Sequence, residues 1–475
     1  MTIRYLLVIL LALVPCFWQK RIQAADLGSH VYNAWLVQLV AGGSTEGLTV
    51  VSQTTNILFD WLLDAALGLF GWSLGEKVAV AAAVALFVSG ALAWIFAMAG
   101  KSCWWIAPSL LMLAYGWVFH MGFFNFYLGL GLAFWALALV WREDSPRRWA
   151  GAVLLLIAAQ FAHTLPIAWA VAMLGFHKIG RRLEPRHLPL WTLAGFAGVL
   201  AVRYVLMTFR NGQWQFPIIP FIPADQAWVH GAKYYPALVA LSIGWLFLVV
   251  RLVAKERWTG LWRDPQAHLT VLSIAAVFLV PMSFDWGQYT IPLSLIQERL
   301  TLPVGILLLG LLGRAEPERW QVGWLSLVAA VFFSFLWADT AALNRVEDRL
   351  DTIVRMLPKD ARVIFPVDDP GIRTFAVTHL IERPCIGHAY HYANYEPPSQ
   401  MFRVRTVADN RIVEHDPKRL EQLHTGGYEV RPEDLPFYQI RACGEGIATL
   451  CAEALDAGAV TAAKQDIPGI VPVLW

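Results

Sequence analysis

VAVAAAVALFVSGALAWIFAMAG, residues 78–100, runs for 23 residues without one charged side chain. An α-helix rises about 1.5 Å per residue, so a stretch of this length crosses a hydrocarbon layer of roughly 30 Å. A helix that is apolar all round has no polar face to offer water, which fits a lipid-spanning segment. The rest of the chain agrees. Of its 475 residues 57% are hydrophobic and 15% charged, and 23 are tryptophan. Mean hydropathy is +0.51. An ordinary soluble domain is about 25% charged, so most of this chain belongs in lipid.

Working outward, further apolar segments lie at 5–18, 104–119, 124–141, 149–161, 165–177, 188–209, 235–254, 268–282, 300–313 and 320–337. With 78–100 they predict an α-helical polytopic membrane protein of about 11 transmembrane helices. The segments 149–161 and 165–177 are short and fit one broken pair as well as two full spans. Alternate loops collect the positive charge: Lys101, Arg142, Arg147, Arg148, Lys178, Arg181, Arg182, Arg186, Lys255, Arg257, Arg263, Arg314 and Arg319 share one side. Lys20, Arg21, Lys77, Arg210, Lys233 and Arg299 fall on the other. The positive-inside rule then places the N-terminus with Arg4 in the cytoplasm and the C-terminal tail outside. The first segment is expected to stay uncleaved. Gln23 or Ile22 would occupy the −3 position of a signal-peptidase site, and Lys20-Arg21 interrupts the approach to it.

Residues 1–340 thus read as a membrane domain and 341–475 as a small extracytoplasmic α/β domain. The outer loop 19–77 is long and holds two helix-like stretches. One covers 29–40 with Ser29 as N-cap. The other, 56–70, carries Asp60 and Asp64 on one face and is expected to lie in the interface plane. A second outer loop contains QWQFPIIPFIP (213–223), and a third spans 284–299. In the tail, NRVEDRLDTIVRML (344–357) reads as a helix, ARVIFPV (361–367), QMFRVRTVA (400–408) and FYQIRA (437–442) as strands, and 374–381 as a helix. GIATLCAEALDAG (446–458) reads as a helix closed by Gly458, and the last residues as another strand. The five cysteines include no CxxC pair; Cys443 and Cys451 could pair across a short loop in an oxidising compartment, leaving Cys385 free. No basic stripe suggests nucleic acid.

Ionisable residues near the outer face carry the chemistry, since hydrocarbon makes them costly unless paired or used. Asp26 and His30 share a helix face, where a carboxylate beside an imidazole can act as a general base. The blander alternative is that Asp26 caps the helix and His30 is solvated. His120 and Asn125, His163, and Glu298-Arg299 lie at outer ends of later segments, on the side of Asp26. Arg299 suits a bidentate phosphate contact or simple snorkelling to the interface. GHAYHYANYEPPSQ (387–400) offers His388, His391 and Glu396, but the prolines and aromatics read as a packed loop facing the membrane domain rather than a metal site. Walker A, Rossmann and HExxH motifs are missing from the sequence.

This order of features resembles the GT-C superfamily of membrane glycosyltransferases. ADLGSHVYNAWLVQLV (25–40) is similar to the family's acidic opening and first interface helix, and QTTNILFDWLLDAALGLFG (53–71) to its second. GFFNFYLGLGL (122–132), AHTLPIAWA (162–170) and ERLTLPVGILLL (298–309) resemble bacterial members such as mannosyl- and arabinosyltransferases. The resemblance implies a bacterial cytoplasmic (inner) membrane enzyme. It would move a sugar from a polyprenyl-phosphate-linked donor to a glycan or lipid acceptor hydroxyl, inverting the anomeric carbon, with Asp26 as general base. His30, His120, Asn125, His163, Glu298 and Arg299 are the candidate substrate-binding residues. Two departures matter. Leu27 follows Asp26 where relatives carry a second acid, which makes a divalent metal doubtful, so no cofactor is assigned. Thr54-Thr55 stands where relatives carry Pro-Pro, which bears on the donor site. The competing readings are a lipid-linked saccharide transporter or polymer ligase, and a non-catalytic membrane scaffold. Ion-coupled transport is disfavoured because only Arg203 and Arg251 sit inside or near the ends of spans, with no carboxylate mid-span.

Overall fold

The computed structural model describes residues 2–43, 45–215, 222–285, 292–444 and 446–470. It opens with α1 (Thr2–Phe17) and α2 (Ala25–Ala41), then a short strand, β1 (Leu48–Val50). α3 (Leu58–Ala99) follows. The expected interface helix and the 78–100 span run into one another here, parted only by a kink at Gly71 (φ 75°, ψ 172°), a conformation that side chains bearing a Cβ avoid. The outer face of the first half exposes Trp61, Leu69 and Phe70, as a helix lying along a membrane surface would.

The helix expected over 104–119 is broken instead. A 3₁₀ turn (Trp104–Ile106) leads into α4 (Ala107–Ala114), and α5 (Trp117–His120) restarts after Gly116, which is extended. Next come α6 (Phe124–Val140), α7 (Pro146–Ala162), α8 (Thr164–Gly180) and α9 (Leu188–Phe209). α7 and α8 form a hairpin with His163 at its tip; the far ends meet where Lys178 Nζ donates to Asp144 Oδ1 at 2.7 Å. α10 (Tyr235–Leu261), α11 (Pro265–Leu279), α12 (Ile296–Leu312) and α13 (Arg319–Met356) complete the helical part.

Four stretches among the described residues are long and apolar enough to cross a membrane: Leu58–Ala99, Pro185–Phe209, Ala232–Leu261 and Arg319–Met356. That makes the chain membrane-embedded in character. The expected count of about eleven is not met by this measure, because α1, α6, α7, α8, α11 and α12 have only 15 to 17 residues each. The basic loops do converge on one end of the bundle. Lys101 and Lys255 both donate to the Arg314 carbonyl, and Arg181 donates to the Arg142 carbonyl.

The tail is smaller and contains strands. β2 (Arg362–Ile364), β3 (Val367–Asp368), α14 (Glu382–Cys385), β4 (Tyr390–His391), α15 (Glu396–Ser399), β5 (Val404–Thr406), α16 (Pro417–Thr425), β6 (Phe437–Ala442), β7 (Leu450–Leu455) and β8 (Gln465–Asp466) follow in order. The main sheet has the order β4-β2-β6-β7, with β2 parallel to both neighbours and β6 antiparallel to β7.

Several expectations are corrected. The segment 446–458 is not a helix: its centre is β7, paired with β6 from Phe437↔Leu455 to Ala442↔Leu450. A ready edge beside β6 overrides the helical preference of its alanines and leucines. The disulfide Cys443–Cys451 closes this hairpin, and Cys385 is buried and free. Residues 374–381 make turns rather than a helix. Ser29 does not cap α2, which begins at Ala25 after an extended Ala24; Ser29 is buried within it and donates to Glu396 Oε1 at 2.6 Å. The boundary expected near 340 falls inside α13, which runs unbroken from lipid-type sequence into the tail. Residues 216–221 and 286–291, in the loops expected to be outer, and the final 471–475, expected as a strand, lie outside the described residues.

Two cores meet at α2. Leu27, Val31 and Ala34 pack into the helical bundle, while Tyr32 and Leu36 pack into the tail. β1 from the outer loop also pairs antiparallel with β5 of the tail. Loop 19–77 therefore glues the two parts together.

Candidate functional site

The site forms where α2 starts. Asp26 sits in its first turn, where a carboxylate suits the positive end of the helix dipole. Its backbone N–H donates to Met121 O at 3.2 Å. Gly122 makes that approach feasible: its φ is +80°, and a Cβ there would lie 2.6 Å from the Asp26 nitrogen. Met121 and Gly122 thus clamp the turn that presents Asp26.

Asp26 lines a cavity of about 710 Å³ together with His30, Asn125, His163, Arg299 and the tail's His379. Sequence reading therefore brings five of its seven candidates to one wall. The other two face elsewhere. His120 is buried behind the cavity, its Nδ1 3.0 Å from Gln23 O and its ring against His230 at 5.3 Å between centroids. Glu298 also stays off the wall; its carbonyl accepts from Gln226 Nε2 at 3.1 Å. An i, i+1 pair on a helix points about 100° apart, and here Arg299 takes the cavity side while Glu298 does not.

The polar groups differ in how far they are committed. His30 Nδ1 lies 3.0 Å from Asp60 Oδ1, and Asn125 Nδ2 donates to Asp60 Oδ2 at 3.1 Å. Asn125 Oδ1 in turn accepts from Phe59 N at 2.8 Å. Asn125 is therefore occupied in fixing Asp60, which leaves it little to offer a ligand. Burial alone would lower the His30 pKa, but the Asp60 carboxylate, with Glu396 and Asp26 adding to it, more than offsets burial and holds the imidazole up at about 9. Asp60 is a residue that sequence reading placed on an interfacial face with Asp64. The kinked helix turns it inward, whereas Asp64 pairs with Arg403 of the tail.

Asp26 is pushed above the usual carboxylate pKa by burial, opposed by the positive charges of His379, His30 and Arg299. A base with an elevated pKa that still sees cations is well placed to take a proton. The Arg299 guanidinium carbon lies 3.7 Å from the centre of the Phe123 ring, with Phe126 further off at 6.0 Å. Its Nε is buried without a hydrogen bond, and among the described residues it has no ion-pair partner. A buried guanidinium with open donors is suited to a phosphate or carboxylate from outside. His163 Nδ1 accepts from Leu165 N at 3.1 Å, so Nε2 carries the proton and can donate.

Sequence reading misses His379 altogether. It lies in a turn of the tail, with Nε2 3.5 Å from Asp26 Oδ1 and Nδ1 3.2 Å from Glu382 Oε1. Only the His-x-x-Glu spacing hints at it, and that spacing is commonplace. The loop at 387–400 does pack against the membrane part as expected: Asn394 donates to Asn33 Oδ1, and Tyr32 Oη accepts from His391 N. Among the described residues no group of three or more His, Cys, Asp or Glu side chains is placed to hold a metal ion.

An apolar groove of about 510 Å³ adjoins the cavity between α8, α9, α11 and α12. Its walls include Trp169, Phe176, Leu272 and Val304, and it shares Val202, Val280 and Leu300 with the cavity that holds Asp26. The chain matches no protein-family model, no curated protein and no solved structure.

Proposed function

We propose that this protein is a membrane glycosyltransferase of the GT-C type, using a polyprenyl-phosphate sugar as donor and a glycan or lipid hydroxyl as acceptor. The observation that carries the reading is the junction of the two spaces. A cavity that holds a carboxylate and a guanidinium with no ion pair among the described residues shares Val202, Val280 and Leu300 with an apolar groove beside it. A ligand with a phosphate headgroup and a hydrocarbon tail matches that pairing.

The chemistry follows from the side chains. The acceptor oxygen attacks the anomeric carbon as Asp26 takes the hydroxyl proton. The bond from that carbon to the phosphate oxygen breaks on the opposite face, its electron pair leaving with the lipid phosphate, and the configuration inverts. Arg299, with its free donors, stabilises the departing phosphate, and His163 Nε2 can add a hydrogen bond. His30, held as an imidazolium by Asp60, adds positive charge to the same wall.

For the membrane itself, the proposal is about eleven crossings in a bacterial cytoplasmic membrane. The basic end of the bundle would face the cytoplasm, and the cavity and tail would lie outside. The convergence of the basic loops supports this orientation.

The test is transfer by purified protein in lipid nanodiscs from radiolabelled polyprenyl-phosphate hexoses. Asp26→Asn is expected to lower turnover by about 1,000-fold or more while polyprenyl-phosphate binding persists, as loss of a general base does. Full activity in Asp26→Asn would sink the assignment.

A further inference from the structure

Asp26 and His379 come from opposite ends of the chain, and the contact between them is built rather than incidental. Gly28, one turn into α2, lets the tail come close: a Cβ there would sit 2.6 Å from the His379 carbonyl oxygen. Behind His379 lies Glu382, whose side chain is 0% exposed and whose Oε1 is 3.2 Å from the ring nitrogens of both His379 and His391. His379 in turn lines the cavity beside Asp26. Other ion pairs joining tail to bundle use arginines away from this wall, such as Arg383 with Glu76 and Glu347.

We propose that His379, flanked by the Glu382 carboxylate, is the positioning residue for Asp26, so that the C-terminal domain supplies part of the reaction centre. The inference rests on the glycosyltransferase reading for its role, though not for its geometry. Neither contact is a hydrogen bond, but an imidazole set 3.5 and 3.2 Å from two carboxylates is favoured in its doubly protonated, charged form by both of them. As an imidazolium, it keeps Asp26 ionised against the pull of burial and turns one carboxylate oxygen towards the acceptor hydroxyl. It already holds both protons, so it does not receive the acceptor's proton; that proton stays on Asp26 during the step. Glu382, itself hydrogen-bonded to His391, balances the charge of the ring.

The groups bearing on this pair come from four elements. His30 shares α2 with Asp26, Arg299 comes from α12, Glu382 from α14 and Glu396 from α15, with Tyr395 against the His379 ring at 5.6 Å. Removing His379 leaves Asp26 with His30 and Arg299, so some activity remains, but Asp26 then ionises at higher pH.

Two measurements test the proposal. The first needs no turnover: nuclear magnetic resonance of histidine-labelled protein in nanodiscs, with the His379 signal assigned by its loss in His379→Gln. His379 is expected to stay an imidazolium through neutral pH and to titrate at least about one unit lower in Asp26→Asn or Glu382→Gln, as loss of a neighbouring carboxylate dictates. An ordinary titration in the wild type, or one indifferent to both substitutions, overturns the pairing. The second is the pH profile of transfer from polyprenyl-phosphate hexoses. His379→Gln is expected to lower kcat by roughly 10- to 100-fold with little change in KM, and to move the acid limb upward by about one unit. An unmoved limb, or a defect confined to KM, overturns the positioning role. If wild type transfers nothing but the resonance result holds, the glycosyltransferase reading fails while the His379–Asp26 pair stands.

Discussion

Asp60 shows how one side chain decides whether a buried histidine is tolerable. His30 is 6% exposed and its pKa is raised from 6.5 to about 9: burial acts to lower it, and Asp60, joined by Glu396 and Asp26, outweighs burial. A histidine raised in the folded state contributes stability that is fully present below its unfolded pKa and lost as pH rises through the folded value. The melting temperature in detergent is therefore expected to fall between about pH 7 and 10, with a smaller fall in Asp60→Asn. At neutral pH, Asp60→Asn should itself cost about 1–3 kcal/mol, because buried His30 loses its charge-assisted partner and gives up its proton. An equally steep pH dependence in the variant would show that the pair is not responsible. Arg299 has the opposite character, a cation with no ion pair among the described residues, stacked on Phe123. Arg299→Gln should weaken polyprenyl-phosphate binding by about 10-fold or more while leaving the melting temperature nearly unchanged. Binding titrations beside thermal melts check both halves of that expectation.

At the scale of elements, the kink in α3 matters most. Gly71 turns the helix so that its first half carries Asp60 into the site and Asp64 towards Arg403. Nothing lies within 4 Å of a Cβ built at Gly71, so the restriction is one of backbone alone. Gly71→Ala is expected to cost about 1–3 kcal/mol, or to straighten α3 and withdraw Asp60 from His30. A thermal melt and the His30 titration together distinguish the two outcomes, and an unaltered melt with an unaltered titration would contradict the kink's role. The α7–α8 hairpin makes a related point: with no loop between the helices, His163 is forced into extended backbone (φ −165°, ψ 135°) at the tip, which sets it on the cavity wall.

At the scale of the molecule, the tail is docked by buried charge. Arg383 donates to Glu76 at 2.9 and 3.0 Å and to Glu347 at 3.3 Å, joining α14 to α3 and α13. Arg383→Ala strands two buried carboxylates and is expected to destabilise docking by about 3–5 kcal/mol. Limited proteolysis should then release tail fragments that the wild type protects. The disulfide offers a check on orientation. If the tail faces an oxidising compartment, Cys443 and Cys451 resist maleimide in intact cells until a reductant is added. Labelling without reductant would place the tail on the other side.

The apolar runs determine by themselves that the chain is helical and membrane-embedded, because hydrocarbon demands internally satisfied backbone whatever the tertiary arrangement. α9 at Leu188–Phe209 coincides with its sequence reading for that reason. Asp26, His163 and Arg299 are likewise legible, since ionisable groups at the ends of apolar segments stand out by cost alone. His379 and Asp60 are not. One is brought to Asp26 by a tail far along the chain, the other by a glycine kink, and neither event leaves a local pattern. The same holds for β7, whose alanines and leucines favour a helix until β6 offers an edge. Local periodicity registers only what a segment buries. Which residues from distant segments share a cavity is settled by long-range packing, and here that packing made the tail part of the site.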